Sequence, residues 1–503
     1  MKKNIIFIII LIALLLGVST GMLLRKEVGL GVDKRYFEAT IDVLGYKIKS
    51  YQKNDEYYIF VPKDIDIANL EISCNINIKK TTEGKVIDNR LILCNNFDEK
   101  FEVIITEQDN QKYKLTVMQS DIPSICINLD NASLKQLNKG SKDEKYSGNL
   151  QIIGASEEQY NILEEKIELK GRGNSTWKYS KKPYQIKFEN VQNILGLNGE
   201  AKKWILLANY RDSTLLKNKL SFDIQQKIGL NDSIKGTFVD LYINGEYLGN
   251  YTLCDKVEIG KSRVNLENSI GLIAEIDLRY GEEEEHNFVS EITETLFVIK
   301  DVVEDENEKA CKEFENKINE FEKVLYSPNS NWEEITKLID IESFAKYYFL
   351  IELEHDPDRF LSSTFLYKDG ENDKIHIGPI WDSDFGYKGN MTTDDFHLNF
   401  IDNHSDFYDK ENKVLKQDWY NQLYKHKEFV AFLNKVYVEE ISPVYNNIDK
   451  MIDDYVQSMT QSINMNNIRW NSNQEELAVY QKEIQILKEW LENRVNYFNN
   501  RYM

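Results

Sequence analysis

The hydrophobic period changes along this chain, and that change constrains the fold more than any other feature. From about residue 30 to 122, apolar and polar residues alternate, as in "YYIFVP", "LEISCNINI", "RLILC" and "FEVIITEQDNQKYKLTV". A period of two puts every second side chain on one face of a strand. The last stretch carries a polar turn between two such runs, as a hairpin does. After about residue 305 the spacing predicts helices over 306–326, 331–354, 417–440 and 444–500. The middle is mixed. "ICINL", "LQIIGA", "GLIAEID" and "LFVIKD" read as strands, and residues 201–229 read as strand, loop and helix, with Asp212 or Ser213 as the cap. Residues 236–259 read as a hairpin turning at Asn244-Gly245. Two exceptions interrupt the helical part: a hairpin over 363–382 and a polar loop over 389–412.

The fold class expected is α+β. An all-β sandwich module over 29–122 precedes a β-rich lobe (about 123–300) and a helical lobe (about 301–503). With 503 residues, 42% of them hydrophobic, the chain has the length and apolar content for about three cores.

Lys2 and Lys3 precede "IIFIIILIALLLGVSTGMLL", residues 5–24, which is long enough to cross a bilayer as a helix. Residues 1–28 are therefore expected to be a signal anchor or signal peptide, with a transmembrane segment in the first case. Arg25, Lys26, Lys34 and Arg35 favour a cytoplasmic bulk; the short lysine-bearing start favours export. The expected location is membrane-anchored or secreted, with the bulk extracytoplasmic. A net charge of -21 repels phosphates and argues against nucleic acid as a partner. None of the five cysteines forms a CxxC. Cys74 and Cys94 lie in the strand-rich region, either as a disulfide or, the plainer expectation, as free thiols.

Three stretches carry chemistry. In "ELKGRGNSTWKYSKKPYQIKFE" (168–189), Gly171 and Gly173 allow a tight turn with exposed N–H groups, and Arg172 offers a planar fork for phosphate or carboxylate. Lys187 sits mid-strand, where it either faces a phosphate site or points to solvent. In "HDPDRFLSSTFLY" (355–367), Asp356 and Asp358 follow a helix and precede a strand, a rigidly flanked place for a proton-accepting carboxylate, or else a simple turn. In "GPIWDSDFGYKG" (378–389), Asp382 and Asp384 put two hard oxygen donors at a strand end, which suits Mg²⁺ or Mn²⁺ bridging phosphates, or else they form a solvated acidic turn.

With these stretches, "LLANYRDSTLLKNKLSFDI", "VDLYINGEYLGNYTLCDKVEI", "WYNQLYKHKEFV" and "LKEWLENRVNYFNNRY", the chain resembles the spore coat protein H (CotH) kinase family over about residues 123–500. The resemblance implies an atypical protein-kinase-like bilobal fold that binds ATP with Mg²⁺ or Mn²⁺. It implies a protein substrate at the cell surface or spore coat, phosphorylated on Ser/Thr. By position, Arg172, Asn174 and Lys187 fall at the family's nucleotide-binding residues, Asp358 at its catalytic aspartate, and Asp382 and Asp384 at its metal pair, of which Asp382 is preferred. Ser363 stands where kinases place a metal-binding asparagine, and Ser383 replaces a commonly apolar residue. Either departure points to the alternative, a catalytically weak pseudokinase acting as a surface adhesin or coat-assembly scaffold. Arg211-Asp212 and Lys217-Asn218-Lys219 match a further family motif with no role derivable from sequence.

Overall fold

The structure is a computed structural model that describes residues 36–197, 199–279, 286–304, 308–356, 359–387, 418–471 and 476–503. The apolar run 5–24, Asp358 and the loop 389–412 lie outside the described residues. Among the described residues, no helix is long and apolar enough to cross a membrane.

Strands between Ala39 and Gln119 form two five-stranded sheets. Alternation builds them: in Ala39–Val43, Ala39, Ile41 and Val43 are buried while Asp42 is exposed. Phe101–Glu107 and Lys112–Gln119 form the expected antiparallel hairpin. Glu56–Val61 instead runs parallel to Lys112–Gln119, a pairing that local pattern does not encode. The apolar faces of both sheets share one core with Cys126, Tyr242, Tyr247 and Met465, which come from the rest of the chain. All five cysteines are free thiols, so Cys74 and Cys94 are not bridged.

A closed seven-stranded barrel follows: Ser124–Leu129, Lys145–Ile153, Ile162–Gly171, Tyr184–Gln192, Ala201–Leu207, Glu246–Asp255 and Gly236–Ile243. It closes where Ser124–Leu129 pairs in parallel with Gly236–Ile243. Asn244 (φ 51°) and Gly245 (φ 81°) supply the two positive φ angles of the tight hairpin turn. Inward residues such as Leu169, Ile186, Phe188, Trp204, Leu206 and Leu253 fill the interior.

A fourth sheet has the order Asn287–Val289, Leu296–Val302, Leu272–Ile276, Thr364–Lys368, His376–Ile380. The hairpin among the helices thus joins strands laid down some ninety residues earlier. Behind the sheet lies helix Ile341–Glu354, buried at every position from Ser343 to Glu354. Helix Glu476–Tyr502 holds it: Arg494 donates to Glu352 O and pairs with Glu352 Oε2 at 3.1 Å, both side chains fully buried.

Three expected helices are divided. The span 417–440 becomes Trp419–Leu423 and Lys427–Val436, the second running on into a π-helical turn over Tyr437–Ile441. The span 331–354 breaks at Ile339, which is extended, and restarts at Asp340, whose carboxylate caps Ser343 N. The span 444–500 becomes Ser442–Tyr445, Ile448–Ser458, Thr460–Trp470 and Glu476–Tyr502. Asp121 accepts from Gln461 N and Ser462 N, so a sandwich-to-barrel residue caps the third of these.

At the junction of sandwich, barrel and this helix, Asp240 is wholly buried. It accepts from Ser120 Oγ (2.6 Å), Tyr247 OH (2.8 Å) and Ser462 Oγ (2.8 Å). Asp121, Lys181, Tyr242 and Cys126 also face it. Burial raises its pKa to about 6, against the three hydrogen bonds. A carboxyl whose folded pKa exceeds its unfolded value binds more protons folded than unfolded. Its contribution to stability therefore falls as pH rises from about 4 through about 6. Relative to Asp240→Asn, the parent is expected to lose about 2 kcal/mol between pH 4 and pH 7. Urea midpoints of both proteins across that range check this, and parallel pH profiles would refute it.

Candidate functional site

The loop after strand Ile162–Gly171 is built around two glycines. A Cβ on Gly171 would meet the Trp177 ring at 2.5 Å; one on Gly173 (φ 79°) would lie 2.0 Å from Thr176 Oγ1. The loop therefore folds back tightly and places Arg172, partly buried, over the Trp381 ring at 4.9 Å. Burial lowers the Arg172 pKa, while Asp382, Glu275 and Asp384 are among the groups that oppose this. Asn174, in the same loop, accepts from Lys142 Nζ at 2.5 Å.

Strand His376–Ile380 delivers Trp381 and then the acidic turn. Asp382 is exposed at φ 60°, and Asp384 is buried. Asn218 fixes this turn from both sides: Nδ2 donates to Asp384 Oδ1 at 2.5 Å, and Oδ1 accepts from Ser383 N at 3.0 Å. Lys217 Nζ lies 3.4 Å from Asp384 O. Asn218 is itself placed because Asp212 starts its helix, accepting from Thr214 N (2.9 Å) and Lys217 N (2.9 Å). Of the two expected caps, Asp212 does this work, while Ser213 Oγ donates to Glu483. The family motif without a role in sequence is thus the clamp that positions the carboxylate pair. Burial and the neighbouring Asp382 and Asp212 charges raise the Asp384 pKa, so the turn gains from a nearby cation.

Arg172, Asn174, Ser363, Asp382 and Asp384 line one cavity of about 340 Å³. Its wall carries seven basic side chains and four acidic ones, a local cationic excess on a chain of net charge -21. Lys187 is not among them. It is exposed and stands opposite Glu168 and Lys203 on the outside of the barrel. The period explains this: Ile186 and Phe188 fill the barrel, so the residue between them points out. Lys300 reaches the cavity instead, from strand Leu296–Val302, and pairs with Glu275 at 3.1 Å. Burial raises the Glu275 pKa and Lys300 opposes it. Sequence reading passed over this pair, although a glutamate inside the apolar "LIAEI" was a usable signal.

Ser363 (φ 58°) lines the wall, with its N–H donated to Glu275 Oε1 at 2.9 Å. Ser383 turns away from the cavity. Its hydroxyl donates to Glu354 Oε1 (2.8 Å) and accepts from Arg359 (3.1 Å), within a fully buried network, so it does not compete with Asp382 and Asp384. Asp356 is buried beside Arg359.

The mouth is aromatic and cationic. Tyr179 and Tyr210 stack at 5.0 Å, and Arg211 lies over Tyr179 and Phe385. Among the described residues, no group of three or more His, Cys, Asp or Glu side chains is placed to hold a metal alone. A carboxylate pair suffices for Mg²⁺ when ligand phosphates and water complete the shell.

Guanidinium and ammonium groups thus face two carboxylates across a small polar cavity. The chain belongs to the CotH family: the family model described as CotH kinase protein matches residues 169–498. It is also similar to "Inner spore coat protein H" of Bacillus subtilis (strain 168), 24% identical over 221 residues. That match covers 43% of this chain and 58% of the relative, less than two thirds of the latter's length.

Proposed function

We propose that the cleft binds ATP with Mg²⁺ or Mn²⁺ and transfers its γ-phosphoryl group to a Ser or Thr hydroxyl of a surface or coat protein. The observation that carries this reading is the convergence of Arg172, Asn174, Asp382 and Asp384 on one cavity. Arg172 and Lys300 neutralise phosphate oxygens, the second in place of Lys187. Asp382 and Asp384 supply two oxygens to the divalent cation that accompanies the nucleotide, and Asn218 holds Asp384 in place. The hydroxyl oxygen forms the new bond to the γ-phosphorus, the bond to the bridging oxygen breaks, and ADP leaves. Asp358 takes the hydroxyl proton. The family membership supports the chemistry, and the similarity to a spore coat protein supports a coat or extracytoplasmic setting.

The alternative is a nucleotide-binding scaffold with little transfer. Ser363 favours it, since a hydroxyl at the cavity wall is a weaker metal donor than an amide oxygen. One experiment separates the two. Unfolding is followed with and without ATP–Mn²⁺, and the protein is then incubated with labelled ATP and analysed for phosphoserine and phosphothreonine by mass spectrometry. The enzyme reading expects a stabilisation of about 2.7 kcal/mol at a hundred times Kd, and label that Asp358→Ala abolishes. Stabilisation without label leaves the scaffold. No stabilisation rejects the nucleotide site.

A further inference from the structure

A groove of about 920 Å³ lies between the β-sandwich and the rim of the barrel, and it shares no lining residue with the cleft. Its walls touch at two points. A Cβ on Gly154 (φ 76°) would lie 2.8 Å from Lys63 Cβ, and Gln151 Nε2 donates to Leu44 O at 3.3 Å. The groove is therefore preformed. Asp42, Asp64, Asp66, Glu71 and Glu158 line it, all exposed, against the single guanidinium of Arg90, which pairs with Glu71 at 2.8 Å. Among these carboxylates stand two leucines that folding does not explain. Leu44 is 61% exposed and Leu163 70%. Leu44 also sits at φ 52°, a turn position that asparagine or glycine fills at lower cost. One leucine comes from a sandwich turn and the other from a barrel strand, yet both line the same groove.

The main chain is open here as well. The ladder between strands Ala39–Val43 and Glu71–Cys74 ends at Thr40↔Ser73, so the next rung, Asp42 with Glu71, is not made. On the other side of the first strand, Val43 and Tyr46 close a two-residue turn as a hydrogen-bonded pair, and Lys49 N donates elsewhere, to Gly245 O. By alternation, the N–H and C=O of Asp42 point away from Tyr46–Lys49, into the unmade rung. Asp42 and Glu71 would stand directly opposite one another there, and like charges so placed repel. These features select among cationic occupants. A polyamine gains nothing from leucines, and a metal ion nothing from an open strand. Among the described residues, no three such side chains converge on a cation.

We propose that this groove docks an extended segment of a partner protein in which apolar residues alternate with lysine or arginine. The segment pairs its main chain at Asp42, turns its apolar side chains onto Leu44 and Leu163, and turns its cations to the carboxylates. The proposal does not depend on what the cleft binds. The test uses the full chain and fluorescence anisotropy with a labelled peptide alternating lysine and leucine. Leu44→Asn relieves the left-handed backbone and spares the fold, and Leu163→Ser changes a side chain already in water; urea midpoints check both. Each is expected to weaken binding about tenfold. The same loss, about tenfold, is expected on the parent when serine replaces leucine in the peptide, or when its main-chain nitrogens are methylated. No binding by the parent overturns the proposal. So does equal binding by parent and both leucine variants, which would mean attraction to net charge alone. Undiminished binding of the methylated peptide overturns strand pairing at Asp42. Spermine that displaces the peptide at an equal concentration overturns the polypeptide assignment. Self-association of the parent in sedimentation, lost in both leucine variants, overturns it in favour of a second copy of this chain.

Discussion

Asp382→Asn is expected to slow phosphoryl transfer about 10²–10³-fold and to leave the urea midpoint where it was. The stability half follows from the backbone. Asp382 sits at φ 60° and is exposed. Asparagine tolerates the left-handed region as well as aspartate does, so no strain is added. The rate half follows from charge. Asp382 and Asp384 share a turn at the cavity wall, and the proposed divalent cation would lose one of two anionic oxygens at the moment charge develops on the transferring group. Raised Mn²⁺ is expected to restore part of the rate. Transfer by the variant at the parental rate would remove Asp382 from the site.

The second large effect is on stability. Arg359→Leu is expected to cost about 3–5 kcal/mol, read from the urea-unfolding midpoint. Arg359 and Glu354 pair at 2.8 Å with both side chains fully buried. Glu354 also accepts from Ser221 and Ser383, and Arg359 donates to Trp381 O at 2.5 Å. Removing the guanidinium leaves a carboxylate in the interior with hydroxyl donors and no countercharge. It also frees the carbonyl just before the acidic turn, so weaker ATP–Mn²⁺ binding is expected alongside. A loss below about 1 kcal/mol would mean that the pair is dispensable.

Much of this was legible locally. The Asn244-Gly245 turn, the hairpin over 363–382 and the helix begun by Asp212 each depend on neighbours within a few residues. So does the placement of Asp382 and Asp384 at a strand end. Lys187 was misplaced for a physical reason: a lysine between Ile186 and Phe188 fits a strand whichever face is functional, and only closure of the barrel decides which face points outward. The Asn218 clamp joins segments far apart in the chain, so no local pattern announces it; of the Glu275–Lys300 pair only the glutamate inside "LIAEI" stands out locally, and its partner does not. The division of the 444–500 span depends on Asp121, more than three hundred residues away.

The family match begins at residue 169, inside strand Ile162–Gly171, yet the barrel closes only through Ser124–Leu129. The β-sandwich is bound just as firmly. Tyr46 OH accepts from Gly245 N and donates to Ile127 O, and Tyr242 OH donates to Phe60 O. In evolutionary terms, the front portion is no interchangeable cassette. A recombination event that swapped it would have to bring matching tyrosine sockets, or leave Tyr242, Tyr247 and Met465 wet. Divergence on either side of that seam is therefore expected to proceed in step, even if catalysis is never under selection there.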